Sequence, residues 1–452
     1  MNKEEIVINN KDKTLTPGKL FYNWFAANIG IMGFVYGAII VSYHMSFIQA
    51  LFAALVGALS FLIPGWVAYS GRKNGITTFK MSRAAFGTHG NKIPNGIAWF
   101  NMVGWLAVNI TTITLLLSSM FGTVGIPKNK PTLVFALVIA GGLVLITGLL
   151  KEDTLAKIQT WLSYIFGILT FIILLMFLAK TDWHLAFHMK TGSLVGGWLP
   201  AVAYVAAGSG ISWSMAAADW GAYVKTSTKS SKTFWNTTMG GAIPLFILMV
   251  GGILLATIKP NLAAASEPFA VMYSAVPTWF GFLYFLVAAG GLIPQCLVSF
   301  RSARINLETL GIHVSQLTSL VIHGVIVFCI PIYVLFISGD FLSNFEIFLN
   351  ILGTCLASWV AIFLCDNVMY RSNGYDIKLL VSDSAVTYNW KGIVAWIIAT
   401  IVGFLFTNNA IWTGPFAQGI FYNTNLGVFI SGIIAIFLMV ILKPFKSHAK
   451  EG

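Results

Sequence analysis

Charge is what this chain has least of. Only 9% of its 452 residues are Asp, Glu, Lys or Arg, where a soluble domain carries about 25%. So few charges cannot clothe a water-facing surface. Hydrophobic residues make up 57% of the chain and its mean hydropathy is +0.81, so lipid is the expected main solvent. Cysteine is scarce too. Cys296, Cys329, Cys355 and Cys365 sit in apolar runs with no CxxC pair, which argues against a disulfide framework or a zinc site. Also missing are HExxH, GxSxG and the GxxxxGK phosphate loop, so no catalytic set emerges. The first 19 residues are polar and charged rather than a basic stub before a cleavable core. The first apolar run is therefore expected to remain as a span.

What is present is a series of long apolar runs. They lie near residues 20–41, 46–70, 93–121, 131–150, 154–180 and 194–217, then 238–258, 276–300, 313–338, 341–365, 390–408 and 424–443. A spanning helix needs about 20 apolar residues, so about twelve spans account for the whole length. A barrel is excluded because the dyad alternation it requires is absent. The net charge of +12 reports topology rather than a nucleic-acid partner. Lys11, Lys13, Lys19, Arg72, Lys73, Arg83, Lys225, Arg304, Arg371 and Lys443 fall on one side of the spans, facing only a few lysines such as Lys128 and Lys259. By the positive-inside rule both termini are cytoplasmic, in a multi-pass protein of the cell membrane.

The expected fold is thus an all-α polytopic membrane protein. If the first five spans start inside, the next five start outside, which permits a five-plus-five inverted repeat. The parsing is a cytoplasmic N-terminal tail 1–19, repeats over 20–180 and 194–365, two peripheral helices within 390–443 and a cytoplasmic C-terminal tail 444–452. Glycines recur in the first span at Gly30, Gly33 and Gly37, and in the sixth at Gly208 and Gly210. Their corresponding positions point to broken first and sixth helices, whose freed backbone groups persist only where they line a cavity. Close helix–helix packing is the alternative use of such residues.

Few polar side chains lie inside the spans. Trp105 and Asn109 are four apart in the third span and share a helix face, putting a flat aromatic beside an amide. That pair suits a planar heterocycle, although core packing uses the same spacing. Gln295 follows Pro294, which is expected to bend or open the eighth span; its amide needs either a neighbouring helix or a ligand. Asp219 closes the sixth span, and Glu346 sits about two turns into the tenth. An intramembrane acid is a functional candidate by default. His323 reads as a proton relay or as a satisfied packing histidine. His184 and His188 have metal-like spacing but no third ligand in view.

Several of these segments, in order, resemble the nucleobase–cation symporter family, in its purine and cytosine permease branch. They are Gly75-Ile76-Thr77-Thr78 with Arg83, Phe86-Gly87 and Gly90, then Gly104-Trp105, then Ala218-Asp219-Trp220 with Tyr223. The resemblance implies a ten-helix inverted-repeat core with broken first and sixth helices plus two peripheral helices. It implies a substrate site between the first, third, sixth and eighth spans. There Trp105 stacks on the solute, Asn109 and Gln295 read its edges, Phe34 closes the site and Ser212 offers further contacts. Gly210 stands where members carry an aromatic, so either the second stacking face is lost or nearby Trp213 replaces it from another angle. The cation-coupling region falls at Gly30, Gly33 and Glu346. The ion is H+ or Na+, because Ala288-Ala289-Gly290-Gly291 stands where sodium-coupled members carry hydroxyls. The implied function is ion-coupled import of a nucleobase such as cytosine or a purine by alternating access, with no cofactor, no catalysis and no obligate protein partner. The alternatives are a hydroxymethylpyrimidine-type thiamine precursor, an allantoin-like ureide or an amino acid and, from other classes, a channel or a polytopic membrane enzyme.

Overall fold

The computed structural model describes residues 6–147, 152–262, 264–381, 387–422 and 424–443. Among these residues no β-strand forms beyond two isolated bridges. The expected tail at 444–452 lies outside the described residues. Among the described residues eight helices are long and apolar enough to cross a membrane, and a bent pair, Pro17–Asn28 with Met32–Ser42, supplies a ninth span. Three shorter apolar stretches, Thr278–Ile293, Trp390–Leu405 and Gly427–Leu442, bring the total to about twelve. Large apolar side chains stay exposed on the outside of the bundle. Ile168 and Phe171 of the fifth span and Val325 of the ninth are each more than 60% exposed, as lipid-facing positions should be.

The spans, in chain order, are the bent pair, Phe47–Asn74, Lys92–Thr123, Lys130–Thr147, Glu152–Lys180, Leu194–Gly221, Ser230–Ile258, Thr278–Thr309, Gln316–Ser338 and Phe341–Tyr370, followed by the two short terminal helices. Their packing carries an internal symmetry. The first span packs on the seventh, and the sixth on the second; the third packs along the eighth, and the second on the seventh. The fifth touches the eighth as the tenth touches the third. Shifting every span number by five converts these contacts into one another. That exchange is the signature of a five-plus-five repeat.

The two spans that head the repeats are built differently. The first is interrupted: Ile29 has a non-helical backbone, and the halves on either side are bent by 61°. Such a gap orphans carbonyls of one half and amides of the other. Tight turns recover some of them: the Ile29 amide donates to the Phe25 carbonyl at 2.8 Å and the Gly30 amide to the Asn28 carbonyl at 3.1 Å. The sixth span corrects the expectation of a second break. Its helix continues through the glycines by widening into a π turn at Ala207–Ile211, the usual way a helix absorbs an extra residue. The second span fixes this turn. Ser60, at the junction of the helices Phe47–Leu59 and Leu62–Asn74, accepts the Gly210 amide at 3.1 Å and pairs with the Ser209 hydroxyl at 3.1 Å. A side chain at Gly210 would collide with the Ser60 carbonyl. The polar groups at this glycine turn are therefore met from within the protein. The eighth span also runs as one helix through position 294; of the Pro294 side chain nothing is described.

Candidate functional site

Beside the interruption of the first span lies a cavity bounded by the first, third, sixth, seventh and eighth spans. About 60 Å3 of it is open to the centres of water molecules. One water needs roughly 10–15 Å3 measured this way, so the space holds more than a single water. Each wall follows helical spacing. Met102, Trp105 and Asn109 form the third-span stripe, while Leu292, Gln295 and Ser299 form the eighth-span stripe. The first span contributes Asn28, Gly30, Met32, Gly33 and Tyr36 around its break.

Trp105 is held rather than loose. Its indole N–H donates to the Ser212 hydroxyl at 2.8 Å, and its ring meets Phe345 and Phe348 edge-on at 5.8 and 5.6 Å. Asn101 shares hydrogen bonds with the same serine at 3.0 and 3.1 Å. Ser212 thus ties the third span to the sixth and sets the orientation of the aromatic face. Trp213 stands edge-on to Trp24 at 5.6 Å. Asn109 lies beside the Cys296 thiol of the eighth span. Gln295 faces the break, its amide nitrogen 3.4 Å from where a side chain on Gly30 would begin.

Trp105, Asn109, Ser212, Trp213, Gln295, Gly30 and Gly33 therefore come together on one cavity. Phe34, Gly210 and Glu346 do not. Phe34 turns away from the space, against Phe177 and Tyr284 with ring centroids 6.1 and 6.5 Å apart. It fills the core between spans and cannot close the site from there. Gly210 is buried against Ser60. Glu346 instead stands near Tyr43 and Tyr204, whose rings lie 6.2 Å apart, away from the cavity wall. Among the residues that escaped the sequence reading are Asn101, which supports the site, and Tyr36, which lines it. Asn101 is four residues before Trp105, the same spacing that singled out Asn109 after it.

The remaining candidates are structural. His323 is buried and satisfied at both ring nitrogens, accepting from the Trp99 indole at 2.8 Å and contacting the Ser319 carbonyl at 2.7 Å. Asp219 accepts the Thr78 amide at 2.8 Å, while the Thr78 hydroxyl accepts the Ala218 amide at 3.1 Å. A carboxylate there complements the N-terminus of the short helix Thr78–Phe86. Arg83, in that helix, donates to the Leu380 carbonyl at 2.7 Å. The motif segments of the second-to-third-span loop and the sixth-span end are thus parts of one clamp. Close to it, a buried ion pair joins Asp366 and Arg371 at 2.9 Å. The four cysteines are free, and among the described residues no three His, Cys, Asp or Glu gather as metal ligands.

Comparison with known proteins agrees with this architecture. Residues 7–430 match the family model described as permease for cytosine/purines, uracil, thiamine, allantoin. A putative purine-cytosine permease, YxlA of Bacillus subtilis, is 24% identical over 427 residues, covering 91% of this chain and 89% of its own. The purine-cytosine permease FCY2 of Saccharomyces cerevisiae is 23% identical, covering 94% and 81%. Among solved structures, the nucleobase-cation-symport-1 family transporter Mhp1, closed with bromovinylhydantoin bound, superposes with a TM-score of 0.74 at 15% identity, covering 98% of this chain and 96% of its own. A Na+-coupled sialic acid symporter aligns at 0.54 with 13% identity, covering 94% and 93%.

Proposed function

We infer function from one premise: this chain belongs to the family of permeases for cytosine and purines, uracil, thiamine and allantoin. It is an ion-coupled transporter that carries a nucleobase across the membrane by alternating access. The single observation that carries the substrate reading is the cavity beside the first-span break, where the Trp105 face meets the amides of Asn109 and Gln295. Stacking a planar base on an aromatic is worth about 1–3 kcal/mol. The amides supply donors and acceptors to its edge, and the unwound backbone of the first span adds groups that a guest can satisfy.

A nucleobase such as cytosine or a purine is the first reading, with a hydroxymethylpyrimidine-type precursor or an allantoin-like ureide as the second. Both termini face the cytoplasm of a cell-membrane protein, as the lysine and arginine distribution supports, and the repeats span 20–180 and 194–365. The driving ion is H+ or Na+. Gly30 and Gly33 offer backbone near the break, and Glu346 is an acid of the tenth span.

Uptake by the purified protein in liposomes tests this. Radiolabelled cytosine, a purine, allantoin and an amino acid are offered under an inward Na+ gradient or an inward proton gradient. Saturable uptake of cytosine or a purine, driven by one gradient, is the expected result. Saturable uptake of the ureide or amino acid alone, or flux that never saturates, would replace the reading.

A further inference from the structure

Tyr36 belongs to the second half of the first span, Met32–Ser42, and lines the same cavity. The residue is only 3% exposed, and its phenol oxygen has no hydrogen-bond partner among the described residues. A buried hydroxyl without a partner is rare and asks for an explanation. Its ring is wedged against Phe345, with centroids 5.8 Å apart, so the hydroxyl is directed rather than free to swing. It ends beside Gly208, in the π turn of the sixth span. A β-carbon on Gly208 would overlap the phenol oxygen, so glycine there keeps the place open.

We propose that Tyr36 is a specificity-determining contact of the transported solute, its hydroxyl donating a hydrogen bond to a carbonyl or ring nitrogen on the edge of the heterocycle that faces Gly208. The proposal rests on the nucleobase reading above and adds to it. Stacking on Trp105 accepts any flat ring, and the amides of Asn109 and Gln295 can turn to suit donors or acceptors. A phenol fixed by Phe345 is less adaptable and selects for an acceptor at one position. It discriminates in the manner of a site built to pair one polar group, which strongly rejects analogues lacking it.

The physical signature separates this role from a packing role. If the hydroxyl waits for the solute, deleting it does not harm the empty protein, because no bond is lost. Equilibrium binding of radiolabelled cytosine and hypoxanthine to the purified full-length protein, wild type and Tyr36→Phe, is measured beside the melting temperature of each without solute. The expected result is unchanged or raised melting temperature with binding weakened roughly tenfold or more. Wild-type binding with equal affinity in Tyr36→Phe would overturn the assignment, as expected if water alone satisfies the phenol. A wild type that binds neither base would overturn the nucleobase reading itself, and this inference with it.

Discussion

The first and sixth spans head the two repeats and both carry clustered glycines, yet they use them in opposite ways. In the first, the helix stops at Ile29 and resumes at Met32 with a 61° bend, and the gap opens on the cavity. In the sixth, the helix never stops; its π turn at Ala207–Ile211 is seated on Ser60 of the second span. The first irregularity is partly met by turns of its own backbone and opens on the cavity, while the second is met by a neighbouring span. A bundle built only from unsatisfied breaks would bear the cost of both whenever the site is empty. Here the sixth span serves as a fixed wall carrying Ser212 and Trp213, and the first supplies the exposed backbone.

Four substitutions test that contrast. The largest effect is expected at Gly210→Val, which drives a branched side chain into the Ser60 backbone. Overpacking costs about 1–3 kcal/mol even where side chains can shift, and a backbone neighbour shifts less. Folded protein should be lost from the membrane fraction on size-exclusion analysis. Next is Ser212→Ala, which strands the Trp105 indole N–H and an Asn101 bond inside the bundle. An unmet buried donor costs about 1–3 kcal/mol. Solute affinity should fall about tenfold while the protein still assembles, because the aromatic face is no longer held. Ser60→Ala removes one acceptor at the π turn and should lower stability by about 1 kcal/mol, read as a modest drop in melting temperature with transport retained. The smallest effect on stability belongs to Gly30→Ala. Its new methyl group meets only the Gln295 side-chain nitrogen at 3.4 Å, so thermal stability should stay within about 1 kcal/mol of wild type. Uptake should still change, since the group lies at the cavity. Equal loss of folding at Gly30 and Gly210 would erase the distinction between an open break and a closed turn.

Run length and charge deficit were enough to read the spans from sequence, because hydrocarbon leaves the backbone almost no other way to be satisfied. The break in the first span was legible for the same reason. The sixth was misread because a glycine pair permits either unwinding or close approach, and the choice depends on Ser60, some 150 residues away in sequence. Phe34 was named through the family resemblance alone, and the ring instead packs against Phe177 and Tyr284. Glu346 was named by its depth in the tenth span, but depth says nothing of which way a side chain points. Trp105 and Asn109 came together on the cavity because they share an uninterrupted helix, where spacing alone fixes the face. Asn101 obeyed the same rule and was overlooked.

The most direct test of the site is binding of radiolabelled cytosine to purified Trp105→Ala, set beside the wild type and a Trp105→Phe control. If the cavity beside the first-span interruption holds the solute against this ring, saturable binding disappears in the alanine variant and partly survives in the phenylalanine one. Undiminished affinity in a folded alanine variant would contradict it.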